Sequence, residues 1–310
     1  MNTQQDDIYF EYDFNKLQNL YKFTHQAMAT VFEIFIIHPD PVYSRNAAQA
    51  AFAECDRLEQ QLSRFIPNSD ITRINSAPAH SPVIVGLDAL DCIAVAYEAW
   101  RHTRGAFDIT ITPLLDCYFD NQRQPRVPDA AEIRTARNLV GMDHLHIDWA
   151  ARTLTKTDAA VGIDLGGIGK GYAVDKMQQV LRYWEISHAF IHGGQSSAIA
   201  FDASEDFSGW PVTFTHPASH ATIAAAALRN KALSGSGIRK QNHIIDPISG
   251  KAVTENIAAW SCTSGAAYAD ALSTAFMVMS IEQIIGFCKA HADVGAIVVT
   301  RGGISRFNEF

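Results

Sequence analysis

Between residues 187 and 228 four strand-like segments (187–192, 196–201, 210–216, 222–228) follow one another with no helical pattern between them. Strands that run on in this way, with helices gathered in groups elsewhere, specify an α+β protein rather than a regular βαβ array. Further strands are expected at Thr30–Ile37 (TVFEIFII), 257–262 and 294–300, with a hairpin at 144–148 and 152–157 and a short strand at Ile163. Phe52, Cys55, Leu58, Leu62 and Phe65 recur in steps of three and four, as do Leu90, Ile93, Tyr97 and Trp100, which places helices there. Asn46 with Gln49, and Asp129 with Glu132, have the spacing of capping boxes. Two more helices are expected near 264–280 and 281–291, whereas the polar stretch after Leu114, through Pro128, reads as a loop.

The formal charge of −8 and the lack of a Lys/Arg cluster argue against a nucleic-acid partner, which would need cations gathered on one face. Five cysteines, at 55, 92, 117, 262 and 288, include no C-x-x-C pair and read as reduced, mostly buried thiols. Residues 1–24 are acidic and aromatic and read as a poorly ordered or interacting arm. They lack the basic and apolar regions of a signal peptide, and no apolar run reaches membrane-spanning length. The chain therefore reads as cytoplasmic; a trimmed form of an exported protein would read the same way and would be periplasmic.

Three stretches carry chemistry. In Ala267-Tyr268-Ala269-Asp270-Ala271-Leu272-Ser273-Thr274-Ala275, a carboxylate and a hydroxyl stand four residues apart among good helix formers, so they share one helix face. Two hard oxygens so placed suit Mg²⁺, which completes its shell with water or substrate phosphate. The same pair also suits a threonine bonded back along its helix and a solvated aspartate. Asp164-Leu165-Gly166-Gly167-Ile168-Gly169-Lys170-Gly171-Tyr172 leads from a strand into a helix whose first N–H groups are available to an anion. It matches neither a Walker loop, which needs Ser or Thr where Gly171 stands, nor G-x-G-x-x-G, whose sixth place is Tyr172. A tight connection without a ligand fits it as well. Finally, His243 precedes Ile244-Ile245-Asp246-Pro247 and a turn ending at Gly250. Its near-neutral reference pKa suits a base for an incoming nucleophile, and a surface histidine is the alternative.

In order, the chain carries Ala27-Met28-Ala29-Thr30, Leu62-Ser63-Arg64-Phe65, Ser69-Asp70-Ile71 with Asn75, and Gly105-Ala106-Phe107-Asp108 with Thr110 and Pro113-Leu114. The glycine turn running on to Asp175, Gly193-Gly194, Ser234-Gly235, His243 to Pro247 and Ala269 to Ala275 follow. From about residue 24 to the C-terminus this resembles the ApbE-type FAD:protein FMN transferase family. The resemblance implies an α+β fold related to the T-fold, with two intimate lobes and a flavin cleft between them, over residues 25–310. It also implies an Mg²⁺-dependent transfer of FMN from FAD to a threonine or serine hydroxyl of an acceptor flavoprotein, with release of AMP. FAD pyrophosphatase activity and non-catalytic FAD binding are the alternatives, and Mn²⁺ is open beside Mg²⁺.

Carried over position by position, the resemblance makes Asp270 and Thr274 the side-chain metal ligands, with Gly167 supplying a backbone oxygen. Met28, Phe65, Ala106, Phe107, Asp108, Asp164, Lys170 and Ile245 become FAD contacts, and His243 the catalytic base. The chain departs from the family at Ala29, where glycine is common, and at Gln195, where aspartate is usual. It also departs at Ile109, Ile111 and Thr112, and at Asn242, where a first histidine is common.

Overall fold

A computed structural model of the 310-residue chain describes residues 9–15, 17–120, 122, 124–202, 208–238 and 244–309. Strands β1 (Phe10–Tyr12), β2 (Leu20–Ala27) and β3 (Thr30–Ile37) come first. Helices α1 (Pro41–Leu62) and α2 (Asp70–Ser76), β4 (Val83–Ile84), α3 (Leu87–His102), α4 (Thr112–Tyr118) and α5 (Ala130–Arg137) follow. Next are β5 (Leu145–Asp148), β6 (Thr153–Lys156), α6 (Gly169–Tyr183), β7 (His188–Gly193), β8 (Ser197–Phe201), β9 (Trp210–Thr215), β10 (Thr222–Leu228) and β11 (Lys231–Gly237). The chain closes with β12 (Asn256–Thr263), α7 (Ala266–Val278), α8 (Ile281–Ala290), β13 (Gly295–Thr300) and β14 (Gly303–Phe307).

Among the described residues the main sheet has eight strands in the order β14-β13-β12-β11-β8-β7-β3-β2, every neighbour antiparallel. Successive side chains of a strand point to opposite faces, and the sequence uses both. In β3, Phe32, Ile34 and Ile36 join the core beneath α1, α3, α6 and α7, whereas Phe35 joins a second apolar layer. That layer, built around Phe10, Phe190, Trp210, Phe214 and Trp260, lies under the small sheet β1-β9-β10. A helix layer, a wide antiparallel sheet and a short second sheet make the α+β architecture expected. Hairpin β5–β6 pairs with β4 as a third sheet.

Several local expectations are corrected. Helix α1 begins at Pro41, not near Asn46: Asp40 accepts from the N–H of Val42 (2.8 Å) and Tyr43 (3.1 Å), so Asn46 and Gln49 lie inside the helix. An aspartate cap followed by proline at the first helical position is a strong start signal. The Asp129–Glu132 capping box forms as expected. The stretch after Leu114 is not all loop, since α4 runs on to Tyr118. Ile163 is not in a strand; its N–H and C=O are both bonded to the side-chain amide of Asn75 (2.8 and 2.9 Å).

Residues 9–15 and 17–24, read from sequence as part of a poorly ordered arm, are built into two sheets. Phe10 and Phe14 are buried, and β1 pairs antiparallel with β9. The aromatic content that looked like an arm covers the back of the main sheet.

Candidate active site

Helix α7 is apolar nearly all round, and its described neighbours β11, β12, α6 and α3 enclose it, so its polar side chains must find partners within the protein. Asp270 is 3% exposed. Its Oδ1 accepts from Ser234 Oγ (3.0 Å) and its Oδ2 from the Gly171 N–H (3.0 Å). An ionised carboxylate has about four lone-pair sites, so one direction on each oxygen remains. One turn on, Thr274 Oγ1 lies 3.3 Å from the Asp270 carbonyl and 3.2 Å from Ser236 Oγ. The back-bond that sequence offered as the bland alternative is thus present, and the hydroxyl still lines a cleft.

Opposite stands the glycine turn. A Cβ added to Gly167 would lie 3.2 Å from the Phe107 ring and 3.3 Å from Thr274 Oγ1, so the turn passes close to that hydroxyl with little room for a side chain. A Cβ at Gly171 would meet the Ala266 carbonyl oxygen at 2.2 Å, which only glycine avoids, and the starts of α6 and α7 touch there. Asp175, one turn further along α6, accepts from the N–H groups of Ala266 (2.7 Å) and Ala267 (2.8 Å) and so caps α7 from outside. Burial pushes the Asp175 carboxyl up to about 6.

These groups open on a cleft of about 780 Å³. Of the positions expected in the site, Met28, Ala106, Phe107, Asp108, Asp164 and Ile245 line it together with Gly167, Lys170, Asp270 and Thr274. Phe65 does not: it is 59% exposed, with the Arg64 guanidinium 4.9 Å from its ring. His243 and Asn242 lie outside the described residues, although Ile244 and Ile245 reach the cleft.

Asp108 accepts from the N–H (2.7 Å) and hydroxyl (2.5 Å) of Thr110. Burial raises its carboxyl to about 6 against the pull of those bonds. Asp164 Oδ1 accepts from the Gly166 N–H (2.5 Å), and its Oδ2 meets Arg64 Nε at 2.7 Å. Lys170 Nζ stands 3.8 Å from Asp270 Oδ2.

Sequence reasoning missed three contributors as site residues: Arg64, Ser234 and Ser236. The Ser-Gly-Ser-Gly alternation at 234–237 was the available signal, for it puts both hydroxyls on one face of β11. Gln195, where the family usually has a carboxylate, does not line the cleft, although Gly194 and Ser196 do.

An antiparallel sheet covered by helices thus carries a carboxylate–hydroxyl pair beside a glycine turn at the wall of one cleft. The profile of the ApbE family matches residues 28–298, and the chain belongs to that family. A protein of Vibrio cholerae named FAD:protein FMN transferase is 25% identical over 302 residues, 91% of this chain and 88% of its own. One of the same name from Klebsiella pneumoniae is 25% identical over 274 residues, 83% of this chain and 78% of its own. Among solved structures, the apo form of the Pseudomonas stutzeri flavinyl transferase ApbE is 26% identical with a TM-score of 0.83, covering 99% of this chain and 96% of that one. The ApbE protein of Thermotoga maritima is 25% identical with a TM-score of 0.84, covering 93% and 97%. Among the described residues no helix is long and apolar enough to cross a membrane.

Proposed function

We propose that this chain is a FAD:protein FMN transferase that uses a divalent cation, Mg²⁺ by the hardness of its ligands, to move FMN from FAD to a threonine or serine hydroxyl. The observation that carries this reading is the charge of the cleft. Five aspartates line it (Asp108, Asp116, Asp120, Asp164, Asp270) against the cations Arg64 and Lys170. A dinucleotide's diphosphate would be repelled by such a wall unless a cation accompanied it.

The donors available fit a hard ion. Asp270 keeps free lone pairs, Thr274 presents a hydroxyl, and the turn at Gly167 passes close to that hydroxyl. Among the described residues no group of three His, Cys, Asp or Glu gathers as a metal centre. Sparse protein oxygens are what Mg²⁺ tolerates, since water and phosphate fill its remaining positions. When bound, the ion would supply Lewis-acid charge to the diphosphate bridge.

The protein's own groups supply position and charge, which is most of what phosphoryl transfer asks. Lys170 adds positive charge beside Asp270, and Phe107 backs the glycine turn. Met28 and Ile245 give an apolar surface suited to a flavin. Asp108, whose carboxyl is bonded by Thr110 and by the Trp100 side chain, adds a fixed polar edge to the cleft. His243 is assigned the base that takes the acceptor hydroxyl's proton. In the balanced step the acceptor oxygen bonds to the FMN phosphorus, the bond from that phosphorus to the bridging oxygen breaks, and AMP leaves.

Purified protein incubated with FAD, MgCl₂ and a flavoprotein acceptor tests this. AMP release with flavin fluorescence that stays on the denatured acceptor supports transfer. AMP release that ignores the acceptor identifies a pyrophosphatase, and FAD binding without AMP under any metal identifies a binding protein.

A further inference from the structure

Tyr9 lies outside residues 28–298, the stretch matched by the family profile, yet it lines the cleft beside Gly194, Ser196 and Ser236. Its backbone is pinned on both sides: the N–H donates to the Gln195 carbonyl (3.3 Å), and the carbonyl accepts from Trp260 Nε1 (2.6 Å). Its side chain occupies the space that β11 leaves at Gly235 and Gly237. A Cβ at Gly235 would fall 2.5 Å from Tyr9 Cβ, and one at Gly237 would fall 3.1 Å from Tyr9 Cε1.

Side chains alternate along a strand, so Ser234 and Ser236 leave β11 on the other face, toward Asp270 and Thr274. The same strand is therefore held from behind by an aromatic ring and in front by the hydroxyl partners of the carboxylate–threonine pair. Tyr9 is 8% exposed, which makes it a fixed wall of the cleft.

We propose that Tyr9 is a positioning residue of the flavin site. Its ring closes the wall at Gly235–Gly237 against the bound dinucleotide and keeps Ser236 beside Thr274. The N-terminal strand is then a working part of the site and not only a cover for the back of the sheet. This rests on the reading of the cleft as an FAD site, and the test separates the two.

FAD binding is titrated by flavin fluorescence quenching in the presence of MgCl₂, for the full-length protein and three variants. Wild-type protein that takes up no FAD overturns the site reading itself. Given wild-type binding, Tyr9→Leu should weaken FAD about five- to tenfold, the scale of one lost aromatic contact. It should also raise the Mg²⁺ concentration that half-saturates FAD binding. Tyr9→Phe, which keeps the ring, should stay within about twofold of wild type. Val212→Ala removes packing from the same apolar layer without reaching the cleft. It serves as the control for lost stability and should leave both constants in place while lowering Tm. The proposal is overturned if Tyr9→Leu binds FAD and metal as wild type does, or if Val212→Ala shifts them equally.

Discussion

On its helix side the main sheet carries Ser234 and Ser236, bonded to Asp270 and Thr274; on its other side it carries Glu33 and His192, bonded to Tyr12 and Lys22. Each set centres on a nearly buried polar side chain, Asp270 in front and His192 behind, and both have found partners. Glu33 Oε1 meets Lys22 Nζ at 2.8 Å, and its Oε2 accepts from Tyr12 and faces His192 Nε2 at 3.0 Å. His192 is 2% exposed and is closed in by the rings of Phe10, Phe190 and Tyr12. That network is directed inward. The front pair instead keeps acceptor capacity and faces about 780 Å³ of open cleft. The two clusters thus serve two ends: the back one ties β1 to β3 and β7, and the front pair is available to a ligand. Openness to a cavity and unused lone pairs separate them, not residue type.

The sharpest way to break this contrast is to remove each carboxylate. Asp270→Ala should lower Mg²⁺-dependent AMP release about a hundred- to thousandfold, the scale of losing one charge-stabilising group. Because the Ser234 hydroxyl and the Gly171 N–H lose their acceptor, the urea midpoint should fall as well, so the rate is compared per folded molecule. A near wild-type rate would show that the front pair is structural after all.

Glu33→Ala should do the reverse. Leaving His192 and the Tyr12 hydroxyl without their acceptor should cost about 2–3 kcal/mol in urea unfolding. AMP release per folded molecule should be unchanged. A large loss of rate at full stability would move Glu33 into the site.

Acid should distinguish the two faces by sign. Glu33 is held down to about 2: burial opposes this, but the bonds from His192, Lys22 and Tyr12 outweigh it. Burial also lowers His192 below the ordinary histidine value. In both cases the unfolded chain binds more protons. The stability these groups provide is therefore lost as pH falls, from the ordinary histidine range for His192 and from the ordinary carboxylate range down to about 2 for Glu33. Asp108 runs oppositely. Raised to about 6 by burial, it binds its proton better when folded, so its term weakens as pH rises from the carboxylate range through about 6. Asp108→Asn should make that part of the urea-midpoint profile shallower, with the contribution of Asp175, also raised to about 6, remaining, and leave the acid limb alone.

The smallest effect belongs to the turn joining the edge strand β2 to β3. Met28 and Ala29 form a two-residue hairpin loop with φ of 50° and 57°. Such loops favour glycine or asparagine, because a Cβ is strained at positive φ. Ala29→Gly should therefore raise stability by about 1 kcal/mol in urea unfolding. Since Ala29 also lines the cleft, a change in FAD affinity would show that its methyl is a ligand contact.

Much of this was legible in the chain. Strand Thr30–Ile37 has the bounds its β-branched run implies, and the helical spacing of Asp270 and Thr274 holds in α7. The glycine turn opens α6 as expected. Local periodicity and cap chemistry are properties of neighbours in sequence, so these features follow from the chain alone. Helix α1 starts ahead of Asn46 because Asp40–Pro41, which also follows directly on a strand, is the stronger cap signal. Strands β1, β2, β4, β11 and β14 are not among those expected: β1 and β4 are only two or three residues long, β11 and β14 carry glycine, and β2 overlaps the segment read as an arm.

The sequence by itself determined the α+β class, the antipodal character of β3's side chains and the carboxylate–hydroxyl spacing on one helix, for each is set within a turn or a strand's length. Tertiary structure decided that Asp175 caps α7 from another helix, that Phe65 stands outside the cleft, and that an N-terminal tyrosine fills the trough beside Gly235 and Gly237. Those relations join residues tens to hundreds of positions apart. Only packing brings such residues together, because contact across a sheet depends on strand order and face, which no local pattern encodes.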